Sequence, residues 1–266
     1  MNRAAGGIDL RRWSVSAASV VAVLAAWHLA TEVLEVATPL VLPAPGAVLE
    51  RFVSLLTDPF EGGTLPHHVW SSLQTVLGGW LAAAAVGVPL GVLMGWSRAA
   101  DALIGPVFHL VRPIPPIAWI PLVIVWFGIS QWSRILVVFI AAVIPCVINA
   151  REGVRQVDPQ LVRAARSLGA GSGTILRRVV GPAAAPLMFT GMRISLGNAW
   201  MTLVGAELVA ASSGLGFVLL SGRRLLQSDL VFVAMATVAV LGVLLGAILR
   251  WAEPRLIPWD VTGDRR

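Results

Sequence analysis

The sequence predicts an all-α protein that crosses a membrane about six times. Of its 266 residues, 57% are hydrophobic and only 13% are charged, and the mean hydropathy is +0.81. Soluble domains carry about 25% charged residues, whereas apolar stretches of about 17 to 25 residues are typical of membrane-spanning helices. The low charge and the repeated apolar stretches therefore exclude a soluble globular protein and favour a bundle of membrane helices.

Six apolar stretches are candidates for the membrane spans, and they cover residues 15–33, 69–95, 102–127, 135–150, 186–211 and 230–249. The first lacks a small-residue cleavage site, so we expect a retained helix rather than a signal peptide. The third contains Pro113, Pro115, Pro116 and Pro121 and cannot form one straight helix. We expect residues 101–111 to lie along the membrane–water interface and the membrane-spanning part to begin near Pro113. Between the first two spans, residues 47–56 predict a short amphipathic surface helix.

Arginine placement predicts the orientation. The spans divide the chain into an N-terminal tail (1–14), a membrane domain (15–250) with a long loop at 151–182, and a C-terminal tail (251–266). Fourteen arginines fall on the side of both termini and the long loop, four fall on the other side, and two lie within or near spans. The positive-inside rule then predicts cytoplasmic termini and a cytoplasmic loop. Without a recognition motif, the pI of about 11.4 does not indicate nucleic-acid binding.

Glycines recur at every fourth position in two spans. Gly87, Gly91 and Gly95 line one face of the second span, and Gly242 and Gly246 do so in the last. Small residues at this spacing let a neighbouring helix backbone approach closely. The pattern fits either ordinary helix packing or a seam between helices that move.

The long loop predicts two short helices. Asp158 can cap a helix that begins at Pro159, and its apolar face would contain Leu161, Ala164, Ala165 and Leu168, at the spacing of one helix side. Gly169 would end this helix with a positive φ. Ser172 or Thr174 would cap a second helix running to Val180. The product is a helix-turn-helix with a shallow apolar face that a partner's groove could enclose.

This loop resembles the motif of bacterial ABC-importer permeases, Glu-Ala-Ala, three residues, Gly, nine residues, Ile, one residue, Leu-Pro. The matching positions are Ala164, Ala165, Gly169, Val179 and Pro182. Arg163 stands where the family has glutamate, and Gly181 where it has leucine. Any ion pair that the family makes through that glutamate is therefore not expected here.

The resemblance covers roughly residues 42–259 and is specific to permeases for nitrate, sulfonates and taurine. It rests on these motifs: Leu42-Pro43-Ala44-Pro45, Ser71-Ser72-Leu73, Arg112-Pro113-Ile114-Pro115-Pro116, residues 121–128 (Pro-Leu-Val-Ile-Val-Trp-Phe-Gly), Gly191-Met192-Arg193-Ile194, Trp200 and Ala206-Glu207.

The resemblance implies a MetI-like type I importer permease that works as a homodimer in the bacterial inner membrane. It also implies two partners, an extracytoplasmic substrate-binding protein and a cytoplasmic ABC ATPase dimer that the loop engages through Leu161, Ala164, Ala165, Leu168, Gly169 and Pro182. The chain carries no Walker motif. ATP and Mg²⁺ are therefore expected in the ATPase, and no cofactor or metal in this chain. A small anion such as a sulfonate, taurine or nitrate is the expected cargo.

Polar residues in the fifth span are candidates for the translocation path: Arg193, Asn198, Thr202 and Glu207. Ionised side chains cost about 2.5 to 3.5 kcal/mol at the centre of a membrane helix, so they should face protein or water. Arg193 and Glu207 would lie about 21 Å apart along a straight helix and cannot pair with each other. Arg193 either offers a positive site to an anion or lies near the cytoplasmic interface, and Glu207 either lines the path or closes a structural hydrogen-bond network.

Two other classes of function remain open. A membrane enzyme acting on lipid would need His67, His68 or Asp58 as catalytic groups, but these residues lack the expected cluster of acid, base and metal ligands. Adjacent histidines without a third ligand are expected at the interface or in solvent. A stand-alone channel or secondary carrier would differ by working without an ATPase.

Overall fold

The computed structural model describes residues 10–34, 36 and 38–259. Within these residues the chain is almost entirely helical, and the only pairing of extended backbone is an isolated bridge between Phe60 and Gly63. The predicted all-α class is confirmed. The α-helices in order are α1 (Leu10–His28), α2 (Pro45–Thr57), α3 (Leu65–Trp96), α4 (Arg98–Val111), α5 (Ile120–Phe127), α6 (Gln131–Arg155), α7 (Pro159–Ser167), α8 (Ser172–Ile175), α9 (Gly181–Ala210), α10 (Leu215–Arg224) and α11 (Ser228–Leu256).

Each of the six predicted stretches contains helix, but the helices differ in whether they are long and apolar enough to span a bilayer. Among the described residues, four helical segments are long and apolar enough on their own: α3, α6, α11 and the segment Ser172–Val209 that includes α9. The pair of α4 and α5 would be a fifth span. The first stretch forms α1 and a π-helical turn at Leu29–Val33, and its apolar part, Ala18–Val33, is shorter than the others. Residues 1–9 and 260–266 of the predicted tails lie outside the described residues.

The proline-rich third stretch is broken, as predicted. After α4 ends at Val111, a 3-10 turn at Pro116–Trp119 leads into α5, and the two arms are bent by 86°. Proline lacks an amide hydrogen and disfavours helical backbone in the residue before it. The consecutive prolines therefore explain the break at this position.

Contacts group the chain into two compact units, residues 1–65 with 218–235 and residues 66–217 with 236–266. In the first unit, the Trp27 ring stacks on Phe232 at a centroid distance of 5.6 Å, and its Nε1 donates to the carbonyl of Pro43 at 3.1 Å. α2 also belongs to this unit. Its exposed apolar residues confirm the predicted amphipathic helix, and they are Leu49, Phe52, Val53 and Leu56.

In the second unit, α3, α6 and α9 share a buried apolar core. It contains Val76, Ala83, Val138, Ala142, Leu196, Ala199 and Leu203. Most of these side chains are small or β-branched, so the helices can pack closely. Close packing matters because the hydrophobic effect does not drive helices together inside lipid. The core therefore depends on shape complementarity rather than on large side chains.

The predicted glycine seam on α3 lies against α6. A Cβ placed on Gly87 would lie 2.8 Å from the Cβ of Cys146, and one on Gly95 would lie 2.7 Å from the Cβ of Val154. A Cβ on Gly91 would collide with the backbone carbonyl of Val147. The repeat thus marks the line along which the two backbones approach most closely. In α11, Gly242 lies against the Trp200 ring, whereas a Cβ on Gly246 would only meet Arg250 Nη1, at an ordinary contact distance of 3.6 Å.

Candidate functional site

The loop between α6 and α9 begins with a capped helix, as the sequence predicts. Asp158 Oδ1 accepts a hydrogen bond from the Gln160 amide at 2.8 Å, and Pro159 occupies the first turn of α7. An acceptor at this position satisfies an amide that the helix leaves unpaired, and proline loses nothing there. The start of α7 is therefore fixed by local chemistry.

Gly169 ends α7 with a φ of +80°. Its amide donates to the Arg166 carbonyl at 2.9 Å, and the Ala170 amide donates to the Ala165 carbonyl at 3.1 Å. This pair of bonds is the Schellman arrangement, which requires a left-handed residue and strongly favours glycine. The predicted role of Gly169 in the turn is confirmed, and the turn returns Ala170 to the side of the loop that packs inward.

The second arm of the loop differs from the prediction. No side chain caps α8, whose N-cap residue is Gly171, so the predicted cap by Ser172 or Thr174 is wrong. A π-helical turn at Leu176–Val180 joins α8 to α9 without a break, and Pro182 lies in the first turn of α9. Proline is tolerated in the first turn of an α-helix because the amide hydrogen that it lacks has no α-helical partner there. The second arm is therefore the beginning of a membrane helix and not a separate helix that ends at Val180.

The four apolar residues predicted to share a face of α7 divide into two sets. Ala165, together with Val162, packs on the buried cluster formed by Val154, Ile175, Val180 and Ala184. Leu161 and Leu168 are 51% and 88% exposed, and Ala164 is exposed beside them. Val162 and Ala165 pack inward, while the neighbouring apolar side chains stay exposed, and we define Leu161, Ala164 and Leu168 as the outer strip of α7.

At the other end of α9, Glu207 lies in a buried polar network. Its side chain is 0% exposed and that of Arg134 is 7% exposed, with 3.9 Å between Arg134 Nη1 and Glu207 Oε1. Ser72 Oγ lies 2.8 Å and 2.9 Å from the two carboxylate oxygens, and the Gly216 amide donates to Oε2 at 2.8 Å. A buried charge is tolerated only when it is paired and hydrogen-bonded. Glu207 meets both conditions, whereas Arg134 Nε is buried without a hydrogen-bond partner.

This network also holds the segment that joins α9 to α10. The Gly214 amide donates to His68 Nδ1 at 3.2 Å, the Leu215 amide donates to Ser72 Oγ at 2.9 Å, and Arg134 Nη1 donates to the Ser213 carbonyl at 3.0 Å. Gly214 has a φ of +119°, and a Cβ there would collide with the Glu207 carboxylate. Side chains from α3, α6 and α9 therefore fix the backbone of one short connection.

The remaining predicted path residues do not gather in one place. Arg193 Nη1 lies 3.2 Å from Glu253 Oε2 on α11, and the two side chains are 44% and 28% exposed. Thr202 is buried, whereas Asn198, one helical turn before it in α9, is exposed. As expected from their spacing, Arg193 and Glu207 have different partners on other helices.

The two adjacent histidines have different environments. His67 is exposed as expected, but His68 is buried and accepts from Gly214, so the expectation that both lie at the interface or in solvent is wrong for His68. In the part of the chain that the structure describes, no group of three or more His, Cys, Asp or Glu side chains could hold a metal.

Sequence reasoning missed most members of the Glu207 network. Arg134 is one of the four arginines that charge counting places on the side opposite the termini, and Ser72 belongs to one of the motifs of the family resemblance. Gly214 and Gly216 were not singled out. The Ser-Ser-Gly-Leu-Gly run that follows Glu207 is the available signal, because two close glycines beside a buried acid often mark a tight backbone contact.

Comparisons with known proteins give the family. Residues 87–258 match the family described as binding-protein-dependent transport system inner membrane component. The taurine transport system permease protein TauC of Escherichia coli (strain K12) is 40% identical over 88% of this chain and 84% of its own length. The putative aliphatic sulfonates transport permease protein SsuC of Bacillus subtilis (strain 168) is 34% identical over 85% of this chain and 80% of its own length.

The fold has a solved counterpart in the inward-facing MetNI methionine ABC transporter. The TM-score is 0.61 at 22% identity, and the match covers 73% of this chain and 94% of that one. This likeness concerns the fold alone and confirms the MetI-like architecture. Family and fold agree, and the chain therefore belongs to the binding-protein-dependent transport system inner membrane components, as the transmembrane permease subunit of an ABC importer.

Proposed function

We propose that α7 is the coupling helix of this permease and that its outer strip docks in a cleft of a separate cytoplasmic ABC ATPase. The exposure of Leu161, Ala164 and Leu168 is the observation that supports this role most directly. Three apolar side chains aligned on one exposed helix face typically mark a groove-binding surface. ATP and Mg²⁺ then bind to that partner, and this chain performs no hydrolysis.

The continuity of the second arm supports a mechanical role for the loop. The Schellman turn ties α7 to α8, and α8 continues through the π-helical turn into α9. When two ATPase subunits close on ATP, they draw the α7 helices of two permease copies together. Since no flexible linker intervenes, the displacement reaches the membrane part of α9 and opens the path outward. The loop and both termini are cytoplasmic in this arrangement, in agreement with the arginine distribution.

The coupling role predicts a charge-sensitive outer strip. Leu168→Asp should weaken binding of the ATPase about tenfold, since a carboxylate would lose its water in the docked cleft. Transport should fall by a similar factor. ATPase capture by the reconstituted permease and substrate uptake into proteoliposomes measure the two effects. Thr174→Asp is the matched control, because Thr174 is exposed in the same loop but outside the strip, and it should retain both activities.

A second variant tests the same role through the backbone. Gly169→Val forces a β-branched residue into the left-handed region, which costs about 1 to 3 kcal/mol, while Gly173→Val adds the same side chain in open space without a positive φ. We expect only the first to uncouple transport. If Leu168→Asp and Gly169→Val bind the ATPase and transport like the native chain, α7 is not the coupling helix.

We further propose that the cargo is a small anion, with an organic sulfonate such as taurine favoured over nitrate. Support comes from two of the relatives, whose names specify taurine and aliphatic sulfonates. An extracytoplasmic binding protein would deliver the cargo to a permease dimer and supply most of the selectivity.

The binding protein that accompanies this permease offers the sharpest test of the cargo. A ligand present at 100 times its Kd stabilises a protein by about 2.7 kcal/mol. Taurine or another alkyl sulfonate should therefore raise its Tm by several degrees, and methionine should not. A shift with nitrate alone would exclude the sulfonate assignment. Uptake that needs neither ATPase nor binding protein would instead indicate a secondary carrier.

A further inference from the structure

An arginine-lined groove lies where the ends of α3 and α6 meet α7. It has a volume of about 510 Å³. Its apolar floor includes Met94, Val154 and Val162, and its cationic lining consists of Arg98, Arg155, Arg163 and Arg166. The four arginines come from three helices, α4, α6 and α7, so the groove is a product of the tertiary fold and not of one basic segment.

The groove carries unbalanced positive charge. Asp101 pairs with Arg155 at 2.7 Å, but the same carboxylate also pairs with Arg151 at 2.7 Å. Within the described residues, no ion pair involves Arg98, Arg163 or Arg166, and no lining residue carries a carboxylate. Like charges around one cavity repel each other, and a bound anion would relieve this repulsion. Arginine is suited to this task, because its planar donors match phosphate oxygens in pairs.

The position of the groove favours a lipid over a soluble anion. α3 and α6 are both long enough to cross the bilayer, so their common end lies near the phosphate layer of one leaflet. Trp96 belongs to the same lining, and tryptophan concentrates at this depth. The apolar floor can receive the first acyl carbons while the guanidinium groups hold the phosphate.

We propose that this groove binds the phosphate of an anionic phospholipid, with phosphatidylglycerol as the simplest representative. Such a lipid would tie α7 to the ends of α3 and α6. It would do so next to Val162, which packs inward beside the groove. The inference requires the two spans to cross a membrane, but it does not require α7 to engage an ATPase.

The test compares the full permease in nanodiscs of phosphatidylcholine alone and of phosphatidylcholine with phosphatidylglycerol. The groove variant is Arg98→Gln combined with Arg166→Gln. The matched control is Arg177→Gln combined with Arg178→Gln, which removes the same charge from two exposed arginines outside the groove. We expect phosphatidylglycerol to raise the Tm of the native chain and of the control, and the groove variant to need about tenfold more of it.

Native mass spectrometry gives an independent readout, since the native chain and the control should retain phosphatidylglycerol that the groove variant loses. An equal response of all three proteins would overturn the proposal. Inorganic phosphate added to phosphatidylcholine nanodiscs distinguishes the source, because a full stabilisation by free phosphate would exclude a lipid site. Loss of ATPase binding by the groove variant in phosphatidylcholine alone would instead assign the groove to an acidic part of that partner.

Discussion

Replacing Gly91 by valine should remove most of the folded protein from the membrane. The ideal Cβ of this residue collides with the Val147 carbonyl and would lie 2.8 Å from the Cβ of Ala150. Neither obstacle is the flexible end of a side chain, so α3 and α6 must move apart along their whole seam. Overpacking costs about 1 to 3 kcal/mol in ordinary cores and more where the backbone blocks relaxation. We expect a loss of about 3 kcal/mol or more.

Abundance in the membrane and the Tm of the purified chain measure this loss. Gly91→Ala should already lower the Tm, since the clash begins at Cβ. Gly197→Val is the matched control, because Gly197 also lies within a membrane helix but no atom comes within 4 Å of its ideal Cβ. A Gly91→Val protein with native abundance and Tm would mean that the seam is not tightly closed.

Removal of the Glu207 carboxylate should have the second large effect. Glu207→Ala leaves Arg134 buried without a counter-charge and takes away the acceptor of the Gly216 amide and the Ser72 hydroxyl. Breaking one partner of a buried ion pair costs about 3 to 5 kcal/mol. Glu207→Gln keeps hydrogen-bonding capacity but not the charge, and it should fall between Glu207→Ala and the native chain.

Two controls separate the network from a general effect of charge. Glu253→Gln removes the partner of Arg193 in a partly exposed pair, and it should change stability by about 1 kcal/mol or less. The double variant Glu207→Gln with Arg134→Gln should lose less than the sum of its single variants, because the two charges interact.

Transport measured beside abundance then distinguishes the two interpretations of Glu207. Equal loss of flux and of folded protein indicates a structural role in holding the segment between α9 and α10. Native abundance with lost flux would assign Glu207 to the translocation path instead. A Glu207→Ala protein as stable as Glu253→Gln would show that the network contributes little to the fold.

Local chemistry explains which parts of the fold could be predicted. The Asp158 cap, the Gly169 turn and the break among the prolines all depend on residues within a few positions of one another, and all three are found. The glycine spacing on α3 predicted a close helix neighbour but not which helix, because that choice depends on the partner's surface. The neighbouring helix is α6, whose Cys146 and Val154 lie against the glycines of α3.

Residues far apart in sequence explain what could not be predicted. Ser72 and Glu207 are separated by 135 positions, and no periodicity connects them. A histidine next to another histidine predicts a position at the membrane interface or in solvent. His68 is instead buried, and its Nδ1 accepts a hydrogen bond from the Gly214 amide. The sequence predicts the apolar face of α7 as one surface. The inward packing of Ala165 on the cluster that contains Ile175 and Val180 depends on how the second arm continues into α9, which the sequence pattern does not show.

The π-helical turn at Leu176–Val180 bears on how chains of this kind can vary in length. An α-helix rotates about 100° per residue, so one residue added elsewhere between Ser172 and Ala210 would swing every later side chain to a different side. A π-helical turn already accommodates one residue beyond the α-helical repeat. Deleting one residue there would restore regular α-helical hydrogen bonding. The side chains before and after the turn would keep their orientation relative to one another. Insertions and deletions among homologous sequences should therefore be found at this turn more often than in the rest of the helical segment between Ser172 and Ala210.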